Sequence, residues 1–233
     1  MTKLLKRNIV FISLSLALLI ALGLALLIIP KGELHILLCD HHTPHYDVFF
    51  RYYTHVAEWL PYVMCLLILL FCRVGDAVFA AAGQALSALT TQIIKHIVVA
   101  PRPLTWFANN MPDMQLPLAD GVQMQYWYSF PSGHTTSFFA LFFTLSVILT
   151  QTMYNNQTTK GLAAKHSGSI VIQLLLFMLA ALGGYSRIYL SQHFASDVFG
   201  GICVGLLITI VCYAIFSRME DKKWYNYRLL SKK

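Results

Sequence analysis

Charge is scarce in this chain: charged residues make up 12% of its 233 positions, and only ten of them are acidic. Soluble domains carry roughly 25%, so a soluble globular protein is excluded at the outset. Cysteine is equally uninformative as a scaffold. Of the five cysteines, Cys65, Cys72, Cys203 and Cys212 sit in or at the edge of apolar runs and only Cys39 falls in a connection, so neither a disulfide framework nor a paired-cysteine metal motif is present. Internal repeats, low-complexity tracts and flexible linkers are also lacking, which predicts one domain over residues 1–233. What is plentiful is apolar sequence, at 57% of the chain with a mean hydropathy of +0.61. The chain is read as an integral membrane protein.

Crossing a hydrocarbon core takes roughly 20 helical residues. Apolar runs at Asn8 to Ile29, Glu58 to Cys72, Ala77 to Val99, Thr135 to Met153, Ser169 to Gly184 and Val198 to Phe216 predict an all-α polytopic fold with six transmembrane helices. The first run follows Lys3, Lys6 and Arg7, as a secretory leader would, but it is too long for a cleaved one and is kept as a membrane helix. The second is the shortest and carries Glu58 near its start.

The net charge of +7 raises the question of nucleic acid, but in a membrane protein basic residues first report sidedness. With both termini cytoplasmic, that side holds twelve of the seventeen: Lys3, Lys6, Arg7, Arg73, Lys160, Lys165, Arg218, Lys222, Lys223, Arg228, Lys232 and Lys233. The other five are Lys31, Arg51, Lys95, Arg102 and Arg187. No nucleic-acid partner is expected. Two long connections then face outward, Pro30 to Ala57 and Pro101 to Pro131, and the second bears Trp106, Phe107, Tyr126, Trp127 and Tyr128. Such aromatic residues favour the headgroup level, so this connection is expected along the membrane surface, roofing a site.

Ionisable residues at membrane depth are costly and mark function. Here they form three clusters at span ends: Lys95 with Arg102-Pro103 seven positions on; the tetrad Pro131-Ser132-Gly133-His134; and Ser186-Arg187 followed by His193 and Asp197, expected between the fifth and sixth spans. All three fall on the same, outward side of the topology already drawn. Together they supply fixed cations, two histidines, a carboxylate and a Ser-Gly helix start, which are the parts needed for phosphoryl transfer. Lys and Arg neutralise phosphoryl oxygens, and a helix N-terminus offers amides to an anion. His193 and Asp197 are four apart and would share a helix face, so His193 is assigned as nucleophile, oriented by Asp197, with His134 as general acid. Nucleophile and acid need opposite protonation states, which predicts a bell-shaped pH dependence.

These clusters resemble, without departure, the three signature motifs of the type 2 phosphatidic acid phosphatase superfamily of membrane lipid phosphatases. The resemblance implies a reaction that uses neither metal nor cofactor. Lys95, Arg102, Ser132, Gly133 and Arg187 hold the phosphate, His134 protonates the leaving group and His193 attacks with help from Asp197. It also implies a phosphorylated lipid substrate and places Arg187 and His193 near the outer membrane surface. The short chain suggests a bacterial enzyme, expected in the inner membrane with its site facing the periplasm.

Among substrates, a lipid A phosphate is narrowly preferred, because the aromatic connection could accommodate a multi-chain lipid. Undecaprenyl pyrophosphate and phosphatidylglycerol phosphate remain alternatives, as do transfer of phosphate to a second lipid and a non-catalytic lipid-binding role; monomer and homo-oligomer stay open.

The stretch from Asp40 to Asp47, with His41, His42 and His45, invites a metal-site reading. Its ligands are too tightly spaced for a preformed site, and it is expected to be a loop near the headgroups. His96 and His166 carry no partner pattern and His35 and His55 lie near span ends, and all four read as interfacial or structural histidines. Gly201 and Gly205 form a small-xxx-small pair that favours close helix packing, with dimerisation as the lesser alternative.

Overall fold

The structure, a computed structural model, describes residues 2–155 and 162–229; Lys160, Lys232 and Lys233, counted above as cytoplasmic, lie outside the described residues. It is a helical protein with no strand among those residues. The chain opens with α1 (Thr2–Arg7) and α2 (Ile9–Ile28), continues through α3 (Lys31–Cys39) and α4 (Pro44–Tyr53), and passes a 3-10 turn at Thr54–Ala57 into α5 (Trp59–Cys72). Then follow α6 (Val74–Val98), α7 (Pro103–Asn110), α8 (Gly133–Asn155), α9 (Leu162–Tyr189) and α10 (Ala195–Phe216).

Five helices, α2, α6, α8, α9 and α10, are long and apolar enough to cross a bilayer. The second expected span is different. With 14 residues, α5 is about 21 Å long, short of a hydrocarbon core of about 30 Å. It qualifies only together with Pro44–Ala57, from which it is bent by 50°, so the sixth span is a broken one. The break falls at Glu58, the charged residue that already made this run the shortest. The connection read as Pro30 to Ala57 is accordingly mostly helix.

The bundle is built around α8, against which α6, α9 and α10 pack, while α2 lies on α9 and α10 and α5 on α6. α8 is buried nearly all round, including Phe138, Phe139 and Phe143, whereas α2 turns Leu27 and Ile28 outward. In a bilayer such outward apolar faces meet lipid, and helix association rests on close packing and interhelical hydrogen bonds. Both are visible. Gln173 on α9 accepts from the Val10 and Phe11 amides at 3.1 and 3.2 Å, satisfying first-turn donors of α2 that have no partner within the helix. Ser146 on α8 donates to Asn8 at 2.7 Å. At the same end, the Val74 and Gly75 amides of α6 donate to the Tyr227 and Tyr225 carbonyls of the C-terminal segment.

Close packing is set by glycine on α10. A Cβ at Gly201 would stand 2.8 Å from the Ser132 carbonyl oxygen and one at Gly205 2.8 Å from that of Thr136. Both glycines therefore face α8 within the chain, and the dimerisation reading of this pair falls away. Because the obstructing atoms are backbone, Gly201→Ala forces the two helices apart. We expect a loss of about 1–3 kcal/mol, read as a lowered thermal midpoint in detergent. Gly23→Ala, where the new Cβ would sit 3.7 Å from Phe199, serves as the tolerant control. An unshifted midpoint in Gly201→Ala would contradict this packing.

Candidate active site

Antiparallel succession brings the three clusters to one end of the bundle. α6 ends there, α8 starts there, α9 ends there and α10 starts there, so motifs far apart in sequence become neighbours. Lys95 occupies the last turn of α6, buried, and its ammonium donates to the Tyr128 carbonyl. α6 then stops at Val99, whose φ of +45° is left-handed and whose amide donates to the Lys95 carbonyl at 3.0 Å. A β-branched residue is rarely found there. The turn delivers Arg102 as the N-cap of α7, with Pro103 at the first helical position, where its missing N–H costs nothing. Arg102 Nε donates to the Trp127 carbonyl at 3.1 Å and Nη1 to Gln192 Oε1 at 3.0 Å.

Ser132 is fully buried just before α8. Its Oγ accepts from the Thr135 amide at 3.4 Å and hydroxyl at 2.9 Å, in the manner of a cap, and its own amide donates to the Asp197 carbonyl at 2.9 Å. A Cβ on Gly133 would meet only ordinary contacts, 3.7 Å to Thr91 and 4.0 Å to Lys95. Protein packing does not demand glycine here, and the bare backbone leaves the helix start open to an anion. His134 follows, a third exposed.

Ser186 and Arg187 do not lie between spans as expected. α9 runs on to Tyr189, which puts both in its last turns. Arg187 is buried; Nη1 donates to Thr54 Oγ1 at 2.5 Å, while Nε is buried without a partner. An unmet guanidinium donor at this depth suits an anionic oxygen.

The pairing of His193 with Asp197 is present, but a shared helix face does not produce it. His193 precedes α10, Phe194 is the N-cap and Asp197 sits at the third helical position. The carboxylate folds back as a cap: Oδ2 accepts from the Phe194 amide at 2.9 Å and from Ser129 Oγ at 2.5 Å, and lies 3.4 Å from His193 Nδ1. Nδ1 is thus the nitrogen turned to the carboxylate, which leaves Nε2 as the one available for chemistry. Burial, the largest influence, pushes His193 well below the usual imidazole range; the hydrogen bond to Asp197 opposes it, and Arg102 and Arg187 push it further down. Burial thus favours the neutral ring.

A polar cavity of about 400 Å³ opens at this end, bordered by Arg102, Arg187, His134, Glu58, Gln192 and Gln123. Beside it is a groove of about 270 Å³ lined by Ala57, Ala88, Thr91 and Gly133 among others, and Glu58 and His134 border both spaces. Of the eight residues predicted from sequence, Arg102, Arg187 and His134 border the cavity and Gly133 the groove, while Lys95, Ser132, His193 and Asp197 are joined to them by the contacts above. Arg102 also holds the Trp127 carbonyl and Lys95 that of Tyr128.

The sequence reading missed Ser129, Thr54, Gln192 and Glu58. Glu58 alone carried a legible signal, a charge beside an apolar run.

The aromatic connection divides in two. Phe107 is buried and, with Trp106, packs on Phe194 at ring distances of 6.4 and 5.6 Å, so α7 covers the His193 loop. Tyr126, Trp127 and Tyr128 remain exposed. Of the outer histidines, His41 and His45 are exposed, whereas His42 turns inward. Its Nδ1 is 2.8 Å from Asp47, its ring stacks on Tyr189, and Tyr189 in turn donates to Asp47 at 2.6 Å. This cluster braces α4 against α9.

The chain is similar to several known proteins. Lipid phosphate phosphatase 2 of Arabidopsis thaliana is 32% identical over 176 residues, which cover 69% of this chain but only 59% of that relative's length. The lipid A 4'-phosphatase of Porphyromonas gingivalis is 27% identical over 182 residues, covering 74% of this chain and 67% of that one. The crystal structure of a transmembrane PAP2 type phosphatidylglycerolphosphate phosphatase from Bacillus subtilis superposes with a TM-score of 0.64 over 93% of this chain and 99% of that one, at 18% identity, and so shares its fold. The family model of the PAP2 superfamily matches residues 76–221, a stretch that runs from the start of α6 past the end of α10 and takes in all three clusters, and the chain belongs to that superfamily.

Proposed function

We propose that this protein is a lipid phosphatase that hydrolyses a phosphate monoester or pyrophosphate through a phosphohistidine, as a single domain over residues 1–233. The observation that carries the reading is His193. It is a buried imidazole whose Nδ1 is held against Asp197 and whose neighbour Gln192 borders, with Arg187, Arg102 and His134, the polar cavity.

His193 Nε2 attacks phosphorus, and the bond to the lipid oxygen breaks with its electron pair leaving on that oxygen. His134 gives the oxygen its proton. Water then attacks the phosphohistidine, His134 takes a proton from it, and phosphate departs. Lys95, Arg102, Arg187, the Ser132 hydroxyl and the Gly133 amide hold the phosphoryl oxygens, where preorganised charge contributes most of the barrier reduction. Asp197 stabilises the charge that develops on His193. Every role in this sequence is filled by a side chain or an amide of the chain itself.

The opposite end of the bundle carries Lys6, Arg7, Arg73, Lys165, Arg218 and Lys222, which supports cytoplasmic termini and a site on the periplasmic face of a bacterial inner membrane. A lipid A phosphate is our preferred substrate, on the strength of the aromatic connection and of the similarity to a protein named for that activity.

Purified protein in detergent, offered lipid A, undecaprenyl pyrophosphate, phosphatidylglycerol phosphate and phosphatidic acid without added metal, should release phosphate fastest from lipid A. His193→Ala should lose at least about 1,000-fold in rate, since it removes the nucleophile. Preference for another lipid would overturn the substrate, release only on addition of a second lipid would favour transfer, and full activity in His193→Ala would overturn the mechanism.

The bell-shaped pH profile expected from sequence acquires a direction. A nucleophile whose pKa is pushed down stays neutral as pH falls, so its acid limb moves to lower pH. Nitrogen NMR of isotope-labelled histidine should find His193 uncharged down to about pH 5, whereas titration near the unperturbed value of about 6.5 would contradict the burial argument.

A further inference from the structure

Glu58 belongs to none of the three clusters, yet it stands at the centre of the site's geometry. It is the residue at the 50° break between Pro44–Ala57 and Trp59–Cys72, and it caps α5 without using its side chain to do so. That carboxylate is free for another task. Oε1 is 2.7 Å from His55 Nδ1 and 3.9 Å from His134 Nε2, and the residue borders both the polar cavity and the adjoining groove.

We propose that Glu58 is a positioning residue for His134, holding the general acid in its protonated form and at the junction where the leaving oxygen emerges. The proposal rests on the phosphatase reading above and deepens it. Three features carry it.

The first is charge. The groups facing His134 are Arg187, His193, Arg102 and His55, all cationic or able to become so. An imidazolium at His134 is opposed by the fixed charges of Arg187 and Arg102, and Glu58 is the carboxylate that stands against them within ion-pair range.

The second is distance. At 3.9 Å the carboxylate is beyond hydrogen-bond reach, so it favours the charged ring without taking the proton that must go to the leaving oxygen. As the phosphorus–oxygen bond breaks, the electron pair goes to the lipid oxygen and the proton moves to it from His134. Glu58 remains a carboxylate throughout, facing a ring that has become neutral.

The third is position. The bond that breaks joins the phosphate, in the cavity of cations, to the body of the lipid, and His134 must sit between them. The groove on the other side of His134 is lined by Ala57, Ala88 and Gly133 among others, small residues that leave room for the lipid beside its leaving oxygen. Glu58 and His134 form the boundary of the two spaces. His55, read from sequence as structural, fixes Glu58 there.

Arg187 also feels Glu58, which gives a competing role: balancing the phosphate-binding cation. The two roles separate on the leaving group. A general acid matters when the departing oxygen is a poor leaving group and hardly at all when it is a nitrophenolate, whereas weakened phosphate binding affects both.

The test measures kcat/KM, which reports phosphorylation of His193, for dodecyl phosphate and for a nitrophenyl phosphate carrying a dodecyloxy chain. Wild type, Glu58→Gln and His134→Ala are compared in detergent, each shown folded by circular dichroism and gel filtration. Glu58→Gln should lose about 10- to 100-fold on dodecyl phosphate and less than about 3-fold on the nitrophenyl ester, and His134→Ala should display the same asymmetry more strongly.

Equal losses on both esters in Glu58→Gln, or no loss on either, with the asymmetry retained in His134→Ala, would overturn the role of Glu58 and leave the phosphatase reading intact. A symmetric response in His134→Ala would overturn both.

Discussion

The carboxylate of Asp197 is the constraint on which the site depends. One oxygen accepts from Ser129 and from the Phe194 amide and lies beside His193, while the backbone carbonyl of the same residue accepts from Ser132. Three segments that share no local sequence, the approach to α8, the His193 loop and the start of α10, are thereby fastened to one residue. A buried carboxylate is costly unless its oxygens are met by donors. Here the donors are a hydroxyl and a helix N-terminal amide, and the helix dipole adds to their effect. Satisfying Asp197 and orienting His193 are therefore one structural event.

The bundle serves that event by bringing backbones close. Gly201 lies against the Ser132 carbonyl, one residue from the Gly133 amide proposed to receive the phosphate, so the separation of α8 and α10 and the geometry of the anion site are set together. On the far side of the His193 loop, Phe194 is held between Trp106 and Phe107 of α7, and Lys31 of α3 sits 4.0 Å over its ring. His35 adds a contact to Ser191 at 3.3 Å, and burial pushes that imidazole down to about 4, so it braces the loop as a neutral ring. Loop residues 190–194 are short, but they are packed from both sides.

Much of this was legible in the sequence. Five spans appear as long apolar runs because lipid imposes that pattern, and Lys95, Arg102, His134, Arg187, His193 and Asp197 stood out because ionisable residues are rare at membrane depth, with Ser132 and Gly133 marked by the helix start beside His134. Their convergence followed from alternating chain direction. What was not legible depended on turn and cap geometry. Spacing suggested a helical His193 and Asp197 pair, but capping by Asp197 starts α10 after His193. Arg187 was assigned to a loop because α9 keeps its helix past the end of its apolar run. Ser129, Thr54 and Gln192 are ordinary polar residues in sequence, and only the fold makes them partners of Asp197, Arg187 and Arg102. Glu58 was visible as an anomaly, but its role depends on a bend that hydropathy does not encode.

The most direct test of the central claim is to trap the intermediate. A turnover with lipid carrying a radiolabelled phosphoryl group, quenched in alkali and digested, should yield one labelled peptide, containing His193, whose label is stable to base and lost in mild acid. Asp197→Asn should diminish that label, since the imidazole loses its orienting carboxylate. Label on His134 or on a hydroxyl side chain, or phosphate release with no labelled histidine at any quench time, would contradict the account.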